Sequence, residues 1–166
     1  MQLAWPTPGV MRRALMALAA TSMVMVACRP VPPAGGRRVN VQQAVVGVTL
    51  QTDRHNTVTV TEYRSAVPAT KVHASAGSHF EAAELRICAR VSGGSVDPSI
   101  VTLITVANTR VQPSGATPLR HALGTHVLKR GKCARGWVAF EVPDNNTGAR
   151  VVVVDNHDDS LRWVVP

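Results

Sequence analysis

The strongest constraint on this chain is a pair of apolar runs at its end, Val151–Val154 and Leu161–Val165, separated by the polar stretch Asp155–Ser160. Branching at Cβ makes consecutive valines better suited to strand than to helix. Leu161, Trp163 and Val165 share one parity, which is strand periodicity. The two runs and the break between them predict a closing β-hairpin. The continuous valine run predicts a strand covered on both faces, as in the middle of a sandwich. Just upstream, KCARGWVAFEVP at 132–143 adds another apolar, β-prone segment.

Upstream, the alternation of period two recurs in short pieces. Val45–Leu50 reads as a first strand. Val58, Val60 and Glu62 share one face, with Thr57, Thr59, Thr61 and Tyr63 on the other, and Pro68 ends the run. Over Ala82–Val91, the set Leu85, Ile87, Ala89 and Val91 should face a core, with Glu84, Arg86, Cys88 and Arg90 outward. Ser92–Ser95 and Pro113–Gly115 are turn signals, Ile100–Thr109 is a further strand, and Val127–Lys129 a short one. Segments with helical promise lie only in the leader. The pattern over residues 44–166 predicts an all-β, immunoglobulin-like β-sandwich of about seven strands.

The N-terminus has a different character. Arg12 and Arg13 precede Ala14–Ala27, an uncharged stretch of 14 residues. A bilayer span takes about 20 residues, so this length fits a secretory signal peptide over 1–27. Met11 is an alternative start to Met1. Met25-Val26-Ala27-Cys28 resembles the bacterial lipoprotein box, with Met25 in place of the usual leucine. That resemblance implies a lipidated Cys28 as the mature N-terminus; the alternative is a secreted protein with no lipid anchor. Residues 28–43, rich in Pro, Gly and Arg, read as a tether. Net charge is +8, but five of the 18 basic residues precede residue 44, leaving 13 basic against 10 acidic after it, or +3. The basic balance thus belongs largely to the appendage and does not point to nucleic acid. In an exported protein Cys88 and Cys133 can pair, on the outer surface of a sheet, constraining the unfolded chain by roughly 4 kcal/mol. Otherwise they remain two buried thiols.

The segments EAAELRICARVSGG (81–94), KCARGWVAFEVP (132–143) and VVVVDNHDDSLRWVVP (151–166) resemble the small immunoglobulin-like domains of exported actinobacterial proteins. That group includes a secreted immunogenic antigen of mycobacteria. The resemblance implies fold and export, and it carries no agreed activity.

Catalytic motifs are missing from the sequence: it has no Gly-x-Ser-x-Gly, no His-Glu-x-x-His and no phosphate-binding glycine loop. The six histidines are scattered, so no catalytic residues, cofactor or metal are assigned. The closest approach to a metal set is Asp155, His157, Asp158 and Asp159, which lacks the glycine and spacing of a calcium loop. Lys129, Arg130, Lys132 and Arg135 form the densest basic run and are the candidate anion-binding residues for a glycan or lipid. Trp137 and Trp163 are expected in the core. The expected function is non-catalytic: an envelope lipoprotein, lipid-anchored on the outer side of the cell membrane, binding a protein or another envelope component.

Overall fold

The computed structural model describes residues 41–52, 56–68, 72–154 and 160–166, all within one compact unit, 37–166. The leader, Cys28, the tether up to residue 40 and the acidic connection 155–159 lie outside the described residues. Among those described, eleven strands follow in order: β1 (Val41–Val45), β2 (Thr49–Gln51), β3 (Thr57–Val67), β4 (Ser78–Cys88), β5 (Gly94–Val96), β6 (Val101–Thr105), β7 (Arg110–Val111), β8 (His126–Leu128), β9 (Cys133–Pro143), β10 (Gly148–Val154) and β11 (Ser160–Val164). Seven of them have five residues or more, and the short remainder are edge and connecting pieces. β1 begins ahead of residue 44, where the sequence pattern places the start of the domain.

A five-stranded sheet in the order β1-β11-β10-β6-β7 packs on a four-stranded sheet, β2-β3-β4-β9, with β5 and β8 as a small separate pair. This is the immunoglobulin-like sandwich that the alternation predicts. The core forms between the inward faces: Val58, Val60, Leu85, Ile87 and Phe140 from one sheet meet Leu103, Val151, Val153, Leu161 and Trp163 from the other. Trp163 is fully buried, and its indole N–H donates to the Val48 carbonyl at 2.8 Å, satisfying the one polar group that burial would strand. The closing hairpin is present, with β10 and β11 antiparallel and Val151 opposite Trp163.

Four expectations change. Val45–Leu50 is not one strand: β1 ends at Val45, the chain turns, and β2 joins the opposite sheet. The strand expected over Ile100–Thr109 is split, since β6 stops at Thr105 and Asn108, at φ 60°, begins the return into β7. Val91 is 46% exposed, because β4 ends at Cys88. A bulge between Val60 and Glu62 inserts Thr61, so Tyr63 and not Glu62 continues the inward face.

Both glycines at close approaches admit no side chain. A Cβ on Gly136 would lie 2.6 Å from the Leu123 backbone nitrogen. Its absence lets the loop before β8 run against β9, where Leu123 N–H donates to Trp137 O and Trp137 N–H to His121 O. That loop covers the free edge of the four-stranded sheet, which would otherwise expose unpaired backbone groups. Gly148 performs the second close approach, beside a buried carboxylate.

Candidate functional site

The outer faces of the two sheets differ. On the four-stranded sheet, Phe80, Ala82, Trp137 and Ala139 are buried under Val72, Ala74 and Leu119 from flanking loops, and Arg64 lies 4.6 Å over the Trp137 ring. Beyond that cluster, Cys88 and Cys133 sit directly opposite each other on β4 and β9 and form a disulfide. They are on the outer surface, as their parity predicts.

The outer face of the five-stranded sheet carries no such cover from described residues. Its register builds one cross-strand row, Val45–Val164–Arg150–Ile104–Arg110, and a second, Gln43–Arg162–Val152–Thr102. The β10, β6 and β7 members of these rows, with Arg162, line a cavity of about 530 Å³, whose polar contributors include Arg110, Arg150, Arg162 and Asn108. Arg162 donates to the Ser160 hydroxyl at 3.1 Å and Arg150 reaches Asn108 Oδ1 at 3.5 Å. Among the described residues, no carboxylate pairs with any of the three guanidiniums. This face changes one sequence expectation, since among the described residues β10 is packed against another sheet on one side only. Val152 is sheltered by its neighbours, whereas Val154 is 40% exposed. The three arginines are far apart in sequence, which is why a search for local charge runs misses them. The signal that finds them is parity, because Arg150 and Arg162 fall opposite in phase to Val151, Val153, Leu161 and Trp163.

The basic run from the sequence is only partly assembled. Lys129, Arg130 and Lys132 are exposed on the turn between β8 and β9. Arg135 points away along β9 and donates to Glu84 Oε2 at 2.6 Å, so it is committed to an ion pair. That contact, with a hydrogen bond from Thr61, holds the Glu84 carboxyl below its ordinary range.

A third cluster was not visible in the sequence. Glu81 is fully buried on the inward face of β4. It accepts hydrogen bonds from the Tyr63 hydroxyl, the Thr147 hydroxyl at 2.9 Å and the Gly148 N–H at 2.9 Å. His79 places Nε2 3.2 Å from Glu81 and Nδ1 3.2 Å from Asp144. Burial first, then the hydrogen bond to Glu81 and its charge, hold the Tyr63 phenol protonated far above its usual range. A carboxylate satisfied by three or four donors is a structural fastening: it ties the start of β10 to β4 at the end of the sandwich.

Among the described residues, no three His, Cys, Asp or Glu side chains converge to hold a metal. The Asp155–Asp159 metal candidate and Cys28 lie outside those residues.

No protein-family model matches the chain, and no curated protein matches it. Solved structures do. The secreted protein MPT63 of Mycobacterium tuberculosis aligns with a TM-score of 0.60 at 14% identity, over 77% of this chain and 100% of that one. YcdA of Bacillus subtilis, described as a candidate lipoprotein, aligns at 0.57 and 13% over 70% of this chain and 38% of that one. The yjhA protein of Bacillus subtilis aligns at 0.53 and 13%, over 77% and 100%. Likeness at such low identity shows a shared β-sandwich fold and nothing finer.

Proposed function

We propose that the protein is an exported, non-catalytic envelope protein, anchored through a lipidated Cys28, whose domain contacts another envelope component through the outer face of β1-β11-β10-β6-β7. The observation that carries this reading is the open face itself. One sheet's outer surface is covered by the chain's own loops, while the other presents three guanidiniums around a cavity, with no carboxylate partner among the described residues. Arginine whose charge is not neutralised by a neighbouring carboxylate is suited, on a concave surface, to recognition of anionic groups. The leader and Cys28 support export, as do the fold neighbours, one a secreted protein and one a candidate lipoprotein.

Two measurements test it. Intact mass of the mature protein should show diacylglycerol on Cys28; an unmodified Cys28 rejects the anchor and leaves a secreted protein. Cross-linking in the native envelope should enrich a component over a Cys28→Ala control, and the enrichment should fall in R110Q/R150Q/R162Q. Enrichment unaffected by that variant but lost in K129Q/R130Q/K132Q would move the contact to the β8–β9 turn, whose three exposed cations support a second, anionic-glycan reading.

A further inference from the structure

We propose that the envelope component met by this face is the anionic lipid bilayer itself, with lipid phosphates in the Arg110, Arg150 and Arg162 concavity and exposed valines at its edge. The inference rests on the reading above that the protein is held at a membrane. Four observations favour a bilayer over other occupants.

The first is charge. Three guanidiniums line one cavity and none meets a carboxylate among the described residues, so the charge that the described residues bring to this surface is positive and suited to anions. The second is the placement of apolar side chains. Of the eight exposed large hydrophobic residues among those described, Val41, Val45, Val154 and Val164 lie on this face. Cations interleaved with aliphatic side chains are the composition of interfacial membrane contacts. The third is the point of entry of the chain. Val41, 46% exposed, opens β1 at the edge of this same sheet. The stretch from Cys28 to Val41 spans at most about 45 Å when extended, so an anchor at Cys28 would keep β1 and its neighbours within reach of the bilayer. The fourth is the weakness of self-association here. A two-fold dimer places a patch on its own copy, and this patch would bring arginine against arginine.

The test uses the full chain as Cys28→Ala, which carries no lipid, so its failure leaves the Cys28 mass measurement untouched. Sedimentation compares phosphatidylcholine vesicles with vesicles containing phosphatidylglycerol. The leader and tether, with five arginines of their own (Arg12, Arg13, Arg29, Arg37 and Arg38), are common to all variants, so the face is read from the difference between the parent and R110Q/R150Q/R162Q on the anionic vesicles, and no difference there overturns the proposal. Tighter binding to the anionic vesicles is expected, falling as salt rises, and R110Q/R150Q/R162Q should weaken it by roughly a hundredfold. R110K/R150K/R162K keeps the charge and should retain binding, because a bilayer reads charge and not the guanidinium fork. K129Q/R130Q/K132Q should bind as the parent does. The proposal is overturned by equal binding to both vesicles, by loss in the lysine variant to the level of the glutamine variant, or by loss confined to the β8–β9 turn variant. Loss in the lysine variant would identify a partner with fixed carboxylate or phosphate geometry.

Discussion

Gly148→Ala is the sharpest test of the buried carboxylate, because its cost follows from contacts that can be removed separately. An added Cβ would fall on the Tyr63 hydroxyl, 2.6 Å from Glu81 Oε2 and 2.9 Å from Leu103 Cδ1. Its backbone has no positive φ to oppose alanine, so the penalty is steric and polar. Overpacking of a dense core costs about 1–3 kcal/mol. Displacing the Tyr63 hydroxyl from an ionised acceptor adds about 1.5–3 kcal/mol. The variant should therefore lose about 3–5 kcal/mol, a large share of the stability of a small domain. Tyr63→Phe alone should lose about 1.5–3 kcal/mol. The double variant decides the matter. Phenylalanine removes both the atom that the new methyl strikes and the hydrogen bond that the clash breaks, so the two losses are partly one event. The double variant should fall short of the additive sum by at least about 1.5 kcal/mol. Urea unfolding with the disulfide intact gives these values, provided the slope is unchanged. Strict additivity, or a neutral Gly148→Ala, would refute the reasoning.

Three further outcomes are expected. Replacing both Cys88 and Cys133 by serine removes a cross-link between residues 45 apart, which should lower stability by up to about 4 kcal/mol in urea. Gly136→Ala pushes a methyl against backbone that cannot yield, 2.6 Å from Leu123 N and 2.8 Å from His121 O; it should cost about 1–3 kcal/mol and speed amide exchange at Leu123 and Trp137. Alkaline pH should weaken the fold through Tyr63, whose native pKa is raised above its ordinary value of 10. Below pH 10 both states hold the proton. Above it the unfolded chain releases the proton while the native state keeps it, so stability falls as pH rises toward the raised native value. Tyr63→Phe should flatten that decline in unfolding midpoints measured from pH 9 upward, and an unchanged slope would show that Tyr63 ionises freely.

The fold was legible where parity alone decides. Leu85 and Ile87 face the core and Cys88 faces out, so the disulfide location followed from counting by two. Trp163 was legible for the same reason, being in phase with Leu161. What was not legible depends on where pairing slips. The bulge at Thr61 exchanges Glu62 for Tyr63 on the inner face, and no residue in TVTVTEYRS announces it. Glu81 continues the Leu85 and Ile87 phase inward, yet a carboxylate at a core position reads as an error until its donors are known, and Thr147 and Gly148 come from the far end of the chain. The basic run misled in the opposite way. Sequence proximity grouped Arg135 with Lys129, Arg130 and Lys132, whereas strand direction sent it to Glu84.

The asymmetry between the two outer faces connects these details to function. Alternation makes every strand of a sandwich present one face outward, and a sheet whose outer residues are apolar must cover them or leave them for something else. The four-stranded sheet covers its own: Trp137 lies beneath Arg64 and Leu119, and Gly136 allows the loop through Leu123 to close the β9 edge. The five-stranded sheet spends its outward positions on Arg150, Arg162 and Arg110 and leaves Val45, Val154 and Val164 open. Stability alone does not account for that choice. Guanidiniums around one cavity with no carboxylate among the described residues repel one another, and exposed valines lose the benefit of burial. Of the two sheets, this one contains β1, which opens at Val41 and is the described strand nearest Cys28 along the chain.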